Sequence, residues 1–85
     1  MAEIKDRLRL VVATPEGVRY DGPADLVELP GRLSRFVVLP DHAPIITSLQ
    51  KGDVRFEHGG EETKISIGGG FANVRNNEVS VCVEI

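Results

Sequence analysis

The sequence predicts an all-β protein, a small β-sandwich of about eight to ten short, mostly antiparallel strands with no substantial helix. Three features predict this fold class. Apolar and polar residues alternate along most of the chain, which is the period of a strand with one buried face. Gly, Pro and Asn interrupt the alternation at short intervals, as turns do. No window sustains the 3.6-residue period of a helix.

Size and composition restrict the possible functions. The chain has 85 residues, room for a single domain over residues 1–85, with a net charge of −3 and 41% hydrophobic residues. The acids are scattered and no basic stripe is present, so nucleic acid is not an expected partner. Residues 1–6 mix acids and bases without the apolar core of a signal peptide, and no apolar run approaches membrane-spanning length. A soluble intracellular protein is expected.

The strands and turns can be assigned in chain order. Runs with apolar residues two apart lie at 8–12, 25–29, 53–57, 64–67 and 78–84. Turn signals lie at 15–17, 21–23, 30–31, 51–53, 58–61 and 76–77. Gly59-Gly60 and Asn76-Asn77 predict tight hairpins, because Gly and Asn tolerate positive φ. The triple glycine Gly68–Gly70 predicts a bulged or sharply turned connection, since no Lys-Ser/Thr pair follows it as a phosphate loop requires.

A histidine between two prolines is the most specific local feature. Pro40 and Pro44 each fix their own φ, and Pro44 biases Ala43 away from the helical region. We therefore expect a rigid, extended corner in which His42 bonds to nearby backbone. A nucleophile–base pair of His42 with Ser48 or Cys82 stays open at this stage, although no nucleophile-elbow signature supports it.

Other candidate groups favour structural roles. The histidines and Cys82 lack the short ligand spacings of zinc sites, so no metal is expected. His58, beside a Gly-Gly turn, is expected to be solvated. The segment Arg32-Leu33-Ser34-Arg35-Phe36 has the composition of a protein contact, but a solvated loop is an equal alternative on composition alone.

Taken together, these motifs resemble the epsilon subunit family of F-type ATP synthases, called delta in mitochondria. Residues 39–44 resemble the family's P-x-H-A-P signature. Residues 10–16 with 20–22 resemble its first strand and the aromatic-x-Gly turn that follows. Residues 51–55 resemble its x-G-x-[VI]-R strand, and residues 67–74 resemble its Gly-Gly-[FI] segment. The resemblance extends from Leu8 to Glu84.

This resemblance implies a rotor function. Family members form a β-sandwich at the foot of the central stalk, bind the gamma subunit and the c-ring, and couple proton flow to ATP synthesis without catalysis of their own. It implies no cofactor, no small-molecule substrate, and a peripheral position at the cytoplasmic face of the bacterial inner membrane through the complex. The alternative interpretation is an unrelated β-sandwich module that binds a protein or ligand.

The resemblance also assigns contact residues. The c-ring contact corresponds to Gly31, Arg32, Leu33, Ser34, Arg35 and Phe36, where the family usually carries glycines and acids. The gamma contact or structural corner corresponds to Pro40, His42, Ala43, Pro44, Ile46 and Thr47. Bacterial relatives continue into two C-terminal helices that inhibit ATP hydrolysis and in some members bind ATP. Because this sequence stops at Ile85, we expect a short form without those helices and without ATP binding.

Overall fold

The computed structural model describes residues 7–85 and contains no helix there. The N-terminal segment 1–6, for which no signal peptide is expected, lies outside the described residues. Residues 7–85 form nine strands: β1 Leu8–Thr14, β2 Gly17–Ala24, β3 Leu26–Pro30, β4 Arg35–Val38, β5 Ile45–Leu49, β6 Gly52–His58, β7 Glu61–Ile67, β8 Gly69–Arg75 and β9 Glu78–Glu84. Across this part of the chain, nothing has the length and hydropathy of a membrane-crossing helix.

The strands form two stacked sheets. One sheet has five strands in the order β2-β1-β9-β8-β5, and the other has four in the order β4-β3-β6-β7. Neighbouring strands are antiparallel, except that β1 runs parallel to β9. The predicted fold class is therefore confirmed, and the strand number falls within the expected range.

The core lies between the sheets and follows directly from the alternation. Every second residue of the central strands points inward, so β1 and β9 bury a continuous layer of aliphatic side chains against β3 and β6. The buried residues include Leu10, Val12, Val79, Val81, Val27, Leu29 and Val54. At one margin, Tyr20 of β2 contacts Phe56 of β6 with ring centroids 4.3 Å apart, which joins the two sheets.

The predicted turn at residues 21–23 is wrong, because these residues continue β2. The Tyr20 hydroxyl donates to the Pro23 carbonyl at 2.6 Å, and the ring lies against Gly22, where a Cβ would come within 3.1 Å of the hydroxyl oxygen. Pro23 is tolerated because β2 is an edge strand. The aromatic-x-Gly pattern thus stabilises an edge strand in this chain.

The hairpin predictions at 58–61 and 76–77 are confirmed. Both central residues of each loop have positive φ: 61° and 86° at Gly59 and Gly60, 52° and 61° at Asn76 and Asn77. This is the backbone of two-residue hairpins whose twist matches that of the flanking strands.

The expectation that His58 is solvated is wrong. His58 continues the inward alternation of Val54 and Phe56 and is half-buried, and its Nδ1 is buried without a hydrogen-bond partner among residues 7–85. The period of two along β6 predicts that position 58 faces inward, whereas the neighbouring glycines indicate only the turn.

Candidate functional site

Two segments carry the candidate contact residues, and the fold places them at opposite ends of the sandwich. We name residues 31–34, between β3 and β4, the tip loop, and residues 39–44, between β4 and β5, the proline corner. The proline corner precedes the first residue of β5, while the tip loop pairs with its last residue through a Gly31–Leu49 bridge. The intervening strand spans about 13 Å, at ~3.3 Å per residue.

The proline corner is a tight turn followed by an irregular segment. The His42 amide donates to the Leu39 carbonyl at 3.1 Å, and Asp41 has a φ of 69°. Proline at the second position of a turn and positive φ at the third are typical of a type II turn. The expectation of an extended corner therefore fails at Asp41, because the second turn residue reverses the chain.

Asn77 fixes the proline corner to the five-stranded sheet. Its side-chain Oδ1 accepts a hydrogen bond from the Asp41 amide at 2.5 Å, across 36 positions of the sequence. His42 Nδ1 lies 2.7 Å from the Ala43 carbonyl oxygen, so it bonds to nearby backbone as predicted. That partner is the adjacent residue, however, and the long-range anchor is Asn77. Sequence reasoning assigned Asn77 to a hairpin and missed this second role.

The fold does not assemble the catalytic pair that the sequence left open. Ser48 and Cys82 both lie opposite Phe71 in the sheet register, near the tip-loop end. His42 lies in the proline corner at the other end of β5. Among residues 7–85 no three His, Cys, Asp or Glu side chains are grouped as metal ligands would be.

Backbone hydrogen bonds hold the tip loop against the end of β5. The Arg32 amide donates to the Ser48 carbonyl at 3.1 Å, and the Gln50 amide donates to the Pro30 carbonyl at 2.9 Å. Gly31 is required at the entry to the loop, because a Cβ there would lie 2.5 Å from the Ser34 carbonyl oxygen. The loop is therefore anchored at its base.

The predicted c-ring residues occupy three different environments. Leu33, at the tip, is 99% exposed. Phe36 is half-buried and packs against the core. Arg35 is exposed, but its side chain is held on the outer face of the four-stranded sheet: it donates to Glu28 Oε2 at 3.0 Å and to the Asp53 carbonyl at 3.0 Å.

Arg35 belongs to an ion-pair chain that crosses the outer face of the four-stranded sheet. Arg55 donates to Glu28 Oε1 at 2.7 Å, to Glu57 at 2.7 Å and to Glu62 at 3.1 Å. Hydrogen bonds from Arg55, and next from Arg35, lower the pKa of the Glu28 carboxyl. The same bond with Glu28 raises the pKa of Arg55, so both charges are retained at neutral pH.

The outer face of the five-stranded sheet has a different chemistry. Ile46 is 77% exposed and Phe71 is 65% exposed, and Cys82 is also exposed beside Phe71. Thr47, the neighbour of Ile46, points inward and is half-buried. Of the two predicted gamma-contact residues on β5, only Ile46 is therefore presented on this outer face.

Comparison with known proteins places this fold in a known group. Residues 7–85 match the family described as the β-sandwich domain of the ATP synthase delta/epsilon chain. The chain is 37% identical over 76 residues to an ATP synthase epsilon chain of Desulforamulus reducens and 42% identical over 76 residues to one of Carboxydothermus hydrogenoformans. Each match covers 89% of this chain, but only 58% and 57% of the respective relatives.

A solved structure shares the fold. A chain of the Euglena gracilis mitochondrial ATP synthase, in an assembly of OSCP, F1 and c-ring, superposes with a TM-score of 0.88 at 21% identity. The match covers 96% of this chain and 53% of that chain.

Proposed function

Because this chain belongs to the family of ATP synthase delta/epsilon chain β-sandwich domains, we propose that it is a non-catalytic subunit of the central stalk of an F-type ATP synthase. In this function it binds the gamma subunit and the c-ring, turns with the rotor, and couples proton flow to ATP synthesis. It takes no cofactor and no small-molecule substrate. The family membership excludes the alternative of an unrelated β-sandwich module.

One observation carries the proposal beyond family membership: the sandwich has two anchored, solvent-facing segments at opposite ends. The tip loop is tied to β5 by backbone hydrogen bonds, and the proline corner is tied to the β8–β9 turn by Asn77. A part that transmits torque between two partners needs contact surfaces that do not yield, and close-packed sheets supply that stiffness.

The contact assignment follows the two ends. We assign residues 31–36 to the c-ring side and the proline corner, with Ile46, to the gamma side. Two relatives are named as ATP synthase epsilon chains, and a neighbouring structure is titled as the central stalk and c-ring of the Tetrahymena thermophila enzyme. These names support a position between a rotor shaft and a membrane ring.

The same assignment gives a location. As a component of the F1 side of the enzyme, the chain would lie at the cytoplasmic face of the bacterial inner membrane and be held there by protein partners.

Affinity purification from membranes tests the proposed function. The full-length chain, tagged at one terminus and expressed in its own host, is recovered from membranes solubilised in mild detergent. We expect gamma and c subunits to copurify with it, as identified by mass spectrometry. A matched preparation from membranes stripped of F1 should lose gamma. Recovery of the tagged chain without either subunit would contradict the proposal.

A further inference from the structure

Leu33 is presented on a fixed support. Single exposed apolar side chains are ordinary on protein surfaces and do not by themselves indicate a binding site. Leu33 differs because the backbone on both sides is held: before it, Gly31 bridges to Leu49 and the Arg32 amide bonds to Ser48, and after it, Arg35 pairs with Pro30 at the start of β4. A side chain held in place before binding loses less conformational freedom when a partner covers it.

The two arginines of this region are not equivalent. Arg35 is engaged with the Glu28 carboxylate and the Asp53 carbonyl. The Arg32 guanidinium, in contrast, is exposed and has no carboxylate partner within residues 7–85. Its positive charge is therefore available to another molecule, while that of Arg35 is already matched by Glu28.

We propose that Leu33 and Arg32 form the contact tip of this end, that Arg35 is a positioning residue, and that the tip fits an apolar hollow with a carboxylate at its rim on the partner protein. The inference rests on the proposed function, since the partner it describes is the c-ring. Arg35 acts at the base of the tip loop, because it is the first residue of β4. Its bonds to Glu28 on β3 and to Asp53 on β6 fix the direction in which the tip projects.

A protein partner fits this tip better than a lipid surface does. One leucine side chain and one unmatched cation supply far less than the two membrane signals that stable anchoring requires. The chain also carries a net charge of −3, which opposes binding to anionic lipid. An apolar hollow of a protein, by contrast, can bury the whole Leu33 side chain.

Binding to the gamma–c-ring complex of the same organism, held in nanodiscs of zwitterionic lipid, tests the proposal. The dissociation constant of the full-length chain is measured over a series of salt concentrations. We expect Leu33→Ser to weaken binding about tenfold or more, from the loss of buried apolar area. We expect Arg32→Gln to weaken binding about fivefold and to flatten the salt dependence, because one ion pair is removed.

Arg35→Gln separates positioning from contact. We expect it to lower the melting temperature and to weaken binding modestly while keeping the salt dependence of the wild type. Val18→Ser and Arg75→Gln are controls on exposed residues outside the tip loop and the proline corner, and both variants should bind the complex as the wild type does.

Each other outcome overturns the proposal. If Arg35→Gln flattens the salt dependence as strongly as Arg32→Gln, Arg35 is a contact residue. If Leu33→Ser binds with wild-type affinity, or if the wild type binds phosphatidylglycerol vesicles through Leu33, the partner surface is misidentified. These results leave the proposed function intact, whereas a wild-type chain that does not bind the complex removes both.

Discussion

At the scale of single residues, Gly70 lies where the neighbouring strand leaves no room for a Cβ atom. Gly70 has a φ of 151°, and a Cβ on it would lie 2.1 Å from the Cys82 carbonyl oxygen and 2.8 Å from Val83 Cα. Backbone cannot move aside as a flexible side chain does. The neighbouring Gly68 has only the Glu84 carbonyl oxygen near its Cβ position, at 3.5 Å.

This difference predicts unequal effects within one glycine triplet. Gly70→Ala should destabilise the protein by about 3 kcal/mol or more, because the β8–β9 pairing must shift. Gly68→Ala should change the free energy of unfolding by less than about 1 kcal/mol. Urea denaturation followed by circular dichroism measures both. Equal effects of the two substitutions would show that the close approach at Gly70 is not the constraint.

A second residue-scale prediction concerns the anchor of the proline corner. Asn77→Gly keeps the positive φ of the hairpin and removes the Oδ1 acceptor of the Asp41 amide, together with the weaker bond that Asn77 Nδ2 donates to Asp41 Oδ1 at 3.4 Å. We expect a loss of about 1 kcal/mol or more of unfolding free energy, the usual value of one hydrogen bond with a small addition from the second. Asn76→Gly, in the same hairpin, should be neutral or slightly stabilising. The account of the corner is wrong if Asn76→Gly is the more damaging change.

His42 gives a third prediction. Within residues 7–85, its ring bonds to the carbonyl of the adjacent Ala43. His42→Ala should therefore alter the melting temperature by no more than about 2 °C, which corresponds to ~0.5 kcal/mol for a domain of this size. A large drop in melting temperature would show that His42, rather than Asn77, is the main stabilising residue of the proline corner.

At the scale of elements, the ion-pair chain joins β4, β3, β6 and β7 on one outer face. The pKa of Glu28 is lowered in the folded state, chiefly by the hydrogen bond from Arg55. Below its unfolded pKa, the unfolded chain therefore binds more protons at this position than the folded chain. The stabilisation from Glu28 is present above about pH 4.5 and is lost as the pH falls through the folded pKa.

This linkage predicts the behaviour of Glu28→Gln. The variant should be less stable than the wild type at neutral pH, because Arg35 and Arg55 lose the Glu28 carboxylate, although Arg55 keeps Glu57 and Glu62. Its unfolding free energy should also fall less steeply between about pH 5 and about pH 3. Glu61→Gln, at an exposed hairpin position, is the matched control and should keep the wild-type slope. Parallel pH profiles for Glu28→Gln and the wild type would refute the assignment.

The elements also show what sequence periodicity could and could not predict. Alternation located β1, β6 and β9, because a buried aliphatic layer leaves a period of two in the sequence. It missed that β2 continues through Asp21-Gly22-Pro23, since the stabilising contact is the Tyr20 ring over Gly22. It also left the state of Arg35 open, because the pairing with Glu28 depends on the register between β3 and β4.

At the scale of the whole molecule, the two outer faces of the sandwich differ in chemistry, and we propose that its two ends contact different partners. The four-stranded sheet is covered by matched charges, while the five-stranded sheet exposes Ile46 and Phe71. The motifs around the prolines and glycines allowed the family to be recognised from the sequence. The grouping of residues at each end required the topology, because β4 and β5 lie in different sheets and the proline corner connects them.

Site-specific cross-linking in the assembled enzyme tests the central claim that opposite ends of the sandwich hold different partners. In a Cys82→Ser background, a photoreactive cross-linker is attached to Ser34→Cys in the tip loop or to Ala43→Cys in the proline corner. We predict that the adduct from position 34 contains the c subunit and that the adduct from position 43 contains gamma. Adducts of both positions with the same subunit, or with neither, would contradict the account.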